Sequence, residues 1–153
     1  MTLKGRILAL DVGDKRIGVA VSDPLQITAR AYSVIERSDR SDVDVEAISR
    51  LARDLDAESI VLGLPLNNAG EKAYQAERVI RFAEELRKGI AIPIVFEDER
   101  YTTAIAQRGL RADNSSRKRG KTSLDALAAQ QILASYLSRL RMSSAVKQEN
   151  ENT

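Results

Sequence analysis

The amino-acid sequence predicts an α/β domain: a mixed five-stranded sheet in the order βββαβαβαα, with helices on both faces. Three observations carry this expectation. The first third holds short apolar runs separated by hairpin-length gaps, the middle alternates helical periodicity with brief continuous apolar runs, and the end carries a long helical pattern. The 153 residues make one domain, and a chain of that size buries roughly 70% of the surface it exposes when unfolded.

Arg6 to Val12 (RILALDV) and Ile17 to Ser22 (IGVAVS) read as two strands joined by Gly13-Asp14-Lys15-Arg16, a hairpin connection with a glycine for positive φ. Thr28 to Ile35 alternates as a third strand and completes an antiparallel meander. Val43, Ala47, Ile48, Leu51 and Leu55 then follow helical spacing, with Asp and Ser at hand as caps. Ser59 to Leu64 (SIVLGL) is continuously apolar, as in a strand covered on both faces. Ala73 to Lys88 is an amphipathic helix closed by Gly89, and Ile92 to Phe96 is a fifth strand entered through Pro93. Crossovers of this kind make strands four and five parallel to the first. Thr102 to Leu110 and Leu124 to Leu140 complete the fold as helices. These elements give a domain over residues 1–141, followed by a polar, patternless stretch at 142–153 that predicts a disordered tail.

Two zeros narrow the chemistry: the chain has no Cys and no His. A disulfide scaffold, a thiolate nucleophile, a zinc finger and a Ser-His-Asp triad are thereby excluded. Carboxylates, Lys, Arg, Tyr and hydroxyls remain, with any metal one that prefers oxygen ligands. The net charge of +2 comes from 24 basic and 22 acidic residues, so their distribution matters more than their sum. No apolar run approaches the ~18 residues of a membrane span, and the first residues lack a signal-peptide core. The expectation is a soluble, cytoplasmic protein without a membrane partner.

Gly13 and Gly18 have the spacing of a phosphate-binding P-loop, but Val19-Ala20 stands where Lys-Ser/Thr belongs, and a strand follows instead of a helix. What remains is Asp11 at the C-terminal end of the first strand, the edge at which α/β sheets place ligands. Alternatively, Asp11 caps the hairpin through an Asx-turn. Glu97-Asp98-Glu99 follows the fifth strand, three acids that repel one another unless a cation offsets them. Asp125 opens the last helix, either in a capping box with Thr122 or turned inward on a stripe with Ala128, Ala129 and Ile132. Between positions 108 and 121 six basic residues (Arg108, Arg111, Arg117, Lys118, Arg119, Lys121) stand against one acid, Asp113. Such a run suits a phosphate backbone. Aromatic residues are only 4% of the chain and absent from this run, so base stacking has little support.

Four ordered motifs, Asp11 to Asp23 (DVGDKRIGVAVSD), Gly63 to Asn67 (GLPLN), Asp98 to Thr103 (DERYTT) and Asp125 to Ala129 (DALAA), make the chain resemble the YqgF/RuvX family. That family comprises Holliday-junction-resolvase-like, pre-16S rRNA-processing nucleases. The resemblance runs from about Gly5 to Leu140 and implies an RNase H-like fold related to the RuvC resolvases. It implies catalytic roles for Asp11, Asp125 and Asp98 or Glu99, with Mg²⁺ or Mn²⁺ held by Asp11, Glu99 and Asp125. Lys15, Arg16, Asn67, Arg100, Arg117, Lys118, Arg119 and Lys121 would contact nucleic acid. Two departures from RuvC stand out: Thr122 occupies the place of its fourth acid, and Gly63-Leu64-Pro65 that of its second. The implied function is metal-dependent endonucleolytic processing of the 5′ end of pre-16S rRNA, with the ribosome as a partner and a monomer or homodimer as the unit. The alternatives are resolution of branched DNA and a non-catalytic nucleic-acid or ribosome-binding factor.

Overall fold

A computed structural model describes residues 5–65, 71–99 and 123–151; of 71–73 and 146–151 it describes the backbone alone. Strands β1 (Arg6–Val12), β2 (Arg16–Ser22) and β3 (Ala29–Glu36) form the meander. Helix α1 (Ser41–Asp54), β4 (Ala57–Leu64), α2 (Glu71–Gly89) and β5 (Ile94–Asp98) follow, and α3 (Leu124–Glu151) ends the chain. The sheet order is β3-β2-β1-β4-β5, with β1 antiparallel to β2 and parallel to β4, and β4 parallel to β5. The expected mixed sheet is therefore present, with β1 at its centre. The expected helix at Thr102 to Leu110 lies outside the described residues.

Burial explains the order. Ile7, Leu8, Ala9 and Leu10 of β1 and Ile60, Val61 and Leu62 of β4 are all inaccessible, as continuous apolar runs require when a sheet is covered twice. Successive residues split between two cores. Leu8, Leu10, Val19, Ile60 and Leu62 meet Val45, Ile48, Val79, Phe82 and Leu86 of α1 and α2. Ile7, Ala9, Ala20 and Val61 meet Ala129, Ile132, Leu133 and Leu137 of α3. The outer strand β3 is only half-buried, with Tyr32 exposed.

Two local features depart from expectation. Helix α1 begins after Arg40 with no side-chain cap. Asp44, in the first turn, is buried and accepts hydrogen bonds from Ser38 N–H (3.0 Å) and Arg37 Nε (3.4 Å), as a buried carboxylate must be paired. Secondly, α3 continues through residues 142–151, where a tail without regular structure is expected. Those residues include no Gly or Pro, and extending an existing helix requires no new nucleus. Among the described residues no helix is long and apolar enough to cross a membrane.

Leu133 joins α3 to the sheet and is fully buried. Leu133→Ala should lower stability by about 2–5 kcal/mol, read as a reduced urea midpoint at unchanged m-value.

Candidate active site

The hairpin sets the site. The Gly13 N–H donates to Arg16 O at 2.9 Å, and the pairing that follows puts Val12 opposite Ile17 and Asp11 opposite Gly18. Asp11 and Gly18 thus share the face covered by α3. A Cβ on Gly18 would lie 1.9 Å from the Asp125 carbonyl oxygen and 2.3 Å from its carbon, a space no side chain can enter. The start of α3 therefore rests directly on the β2 backbone. Ser123 caps this helix, its Oγ accepting the Ala126 N–H at 3.1 Å. Asp125, released from capping, accepts instead from Arg16 Nε at 3.0 Å.

The consequence is electrostatic. The half-buried Asp11 has its pKa pushed up to about 6, chiefly by burial and further by the charge of Asp125. Two carboxylates brought together in this way concentrate negative charge, with Arg16 paired to Asp125.

The β5 acids separate by strand alternation. Glu97 turns to the α3 face and is 1% exposed. It accepts from Arg139 Nη1, while its Oε2 has no hydrogen-bond partner among the described residues. Burial raises its pKa, with the Arg139 charge opposing. Asp98 pairs in register with Leu64, and alternation gives it the opposite face. Glu99, one residue past the strand, places Oε1 2.7 Å from where a Gly63 Cβ would stand, beside Ile132. The Glu99 carboxylate thus covers the place that Gly63 leaves empty at the end of β4.

A hard divalent ion fits the Asp11–Asp125 pair. The donors are all carboxylate oxygen, their mutual repulsion is relieved by a cation, and Mg²⁺ characteristically takes one or two carboxylates and keeps its waters. The expectation of three converging acids is not met as the side chains stand: among the described residues no group of three could hold one ion. Glu99 lies over Gly63, so a third ligand requires its side chain to move. Of the expected nucleic-acid contacts, Lys15 is exposed at the hairpin and Arg16 is paired with Asp125. Asn67, Arg100, Arg117, Lys118, Arg119 and Lys121 lie outside the described residues, as does Thr122.

Sequence reading names Gly18, Gly63 and Glu97 within motifs but gives the two glycines no packing role, does not assign Ser123 as a cap and does not pair Glu97 with Arg139. The role of Gly18 could have been found by counting back from the hairpin, since a short connection dictates which residues oppose. Ser123 has a local signal, a Ser directly before a helical run, whereas Gly63 and the Glu97–Arg139 pair depend on helix-to-sheet packing.

The family described as RuvX, Holliday junction resolvase, matches residues 5–139. A Clostridium acetobutylicum protein is 41% identical over 132 residues, covering 86% of this chain and 97% of that one. Proteins of Caldanaerobacter subterraneus subsp. tengcongensis (45% identical, covering 86% and 95%) and Moorella thermoacetica (44%, covering 88% and 96%) are similarly close. Each of the three is named "Putative pre-16S rRNA nuclease". Among solved structures, T. thermophilus RuvC in complex with Holliday junction substrate superposes with a TM-score of 0.60 at 12% identity, covering 89% of this chain and 96% of that one. That likeness shows the RNase H-like fold.

Two outcomes follow from the geometry. Gly18→Ala must push α3 off β2, costing about 1–3 kcal/mol and moving Asp125 from Asp11. Carboxyl NMR should then show the Asp11 pKa falling part of the way from about 6 towards 3.8. In the metal-free protein, Asp11 binds its proton more tightly folded than unfolded. Its contribution to stability is therefore complete below about pH 4 and is lost as pH rises through about 6, by roughly 1–3 kcal/mol. Urea titrations across that range should show the fall, and Asp11→Asn should flatten it.

Proposed function

The chain belongs to the RuvX family, and on that premise we propose that it is a divalent-metal-dependent endonuclease that processes the 5′ end of pre-16S rRNA in the cytoplasm. The observation that carries the proposal is the Asp11–Asp125 pair, set at the C-terminal end of the central strand by the Gly18 contact. The names of relatives at 41–45% identity favour ribosomal RNA precursor over a branched DNA junction. Residues 1–141 make up the nuclease domain.

In this reading Asp11 and Asp125 would hold Mg²⁺ or Mn²⁺ through oxygen, with Glu99 as the third carboxylate once its side chain leaves Gly63. The ion, when bound, lowers the pKa of water and offsets charge at the scissile phosphate. Asp11 must be ionised to serve, and the positive ion lowers its pKa from the metal-free value. Lys15 and the basic residues at 117–121 bind the phosphate backbone sequence-independently. No histidine is needed, because metal and carboxylates together perform what a general base performs elsewhere.

Incubation with a precursor carrying its 5′ leader and Mn²⁺ or Mg²⁺ should yield discrete products, while a four-way DNA junction of equal length stays intact. Asp11→Asn and Asp125→Asn should each lower the single-turnover rate about 100-fold or more, matching the several kcal/mol that a metal supplies. Metal-dependent cleavage that survives both substitutions would remove these acids from the mechanism. Preferential cutting of the junction would select the DNA substrate instead.

A further inference from the structure

We infer that Arg16 is the counter-ion that Asp125 exchanges for divalent metal, and that the released guanidinium then holds the substrate phosphate. The inference rests on the proposed metal site. Arg16 is the first residue of β2, two before Gly18, so alternation puts both on the α3 face. Its Nε stands 3.0 Å from Asp125 Oδ2, and the two side chains are 50% and 33% exposed. One oxygen of the helix-borne acid is thus occupied by a permanent cation.

A cation that competes for the Asp125 carboxylate can displace the guanidinium from it. The pair is also weak enough to exchange, because an ion pair this open to water is worth no more than about fivefold in an equilibrium constant. An unliganded Asp125 is therefore held in place rather than repelled outward by Asp11. Once Asp125 turns to a metal, the guanidinium remains beside the site. Its five donors form a planar fork that matches a phosphate. Arginine here thus does what lysine could do only in part.

Calorimetric titration of Mn²⁺ into the full-length, metal-free protein tests the exchange without relying on turnover. Arg16→Gln should bind Mn²⁺ about two- to fivefold more tightly than the wild type. Arg16→Lys, which keeps the charge, should stay within about twofold of the wild type. Lys15→Gln, removing the neighbouring exposed charge, should change affinity less than Arg16→Gln. At saturating Mn²⁺, Arg16→Gln should raise KM for the RNA more than it lowers kcat.

Unchanged or weaker Mn²⁺ binding by Arg16→Gln overturns the exchange, as does equal tightening in Arg16→Lys or Lys15→Gln. Mn²⁺ binding to the wild type that Asp11→Asn leaves unaltered overturns the metal site itself and the exchange with it. Binding that Asp11→Asn weakens while Arg16→Gln leaves it unchanged overturns the exchange alone.

Discussion

The contact between Gly18 and the Asp125 backbone is the constraint on which the rest of the site depends. Helix α3 carries an acid that must reach the end of the central strand, yet the antiparallel neighbour β2 lies beneath its first turn. Any side chain at position 18 would occupy the space of the Asp125 carbonyl. Gly18 is also the residue opposite Asp11 in the ladder, so one glycine both admits the helix and sets the two carboxylates side by side. The raised pKa of Asp11 comes chiefly from burial, and the charge of Asp125 adds to it. The arrangement carries a stability cost when metal is absent, as functional sites commonly do.

Glycine recurs for the same reason at the end of β4. Gly63 leaves room for the Ile132 side chain of α3 and for the Glu99 carboxylate, so an acid borne on the loop after β5 can reach the strand next to β1. Buried behind it, Glu97 accepts from Arg139 and links β5 to the distal part of α3. A buried ion pair is not by itself a source of stability. Its physical effect here is directional, since it holds the helix at a second point well away from Gly18. Fixed at both places, α3 has little freedom to slide along the sheet, and the position of Asp125 is set accordingly.

The strands and the two-faced core were legible because their signals are local. β1, β2 and β4 alternate or run continuously apolar, and the β1–β2 connection is too short for anything except a hairpin. Asp11 was legible for the same reason, as an acid at a strand end. The α1 cap was misjudged: Arg40 stands at the cap position without a side-chain cap bond, and none of the Asp and Ser residues just before the helical pattern takes that role. The end of α3 was misjudged because hydrophobic periodicity reports packing, and a polar stretch without Gly or Pro can still continue an existing helix.

The sequence by itself determined which side chains are available: carboxylates and arginines without histidine or cysteine, set in motifs whose order marks the RuvX family. It also determined the hairpin register, because a short connection permits only one pairing with the apolar face inward. Tertiary structure alone decided which acids meet. Asp11 and Asp125 are separated by more than a hundred residues, and their distance depends on a helix seated against a strand. Whether Asp98 or Glu99 turns towards them depends likewise on strand alternation and on the space above Gly63. Contacts between elements have no periodicity along the chain, so no local pattern encodes them.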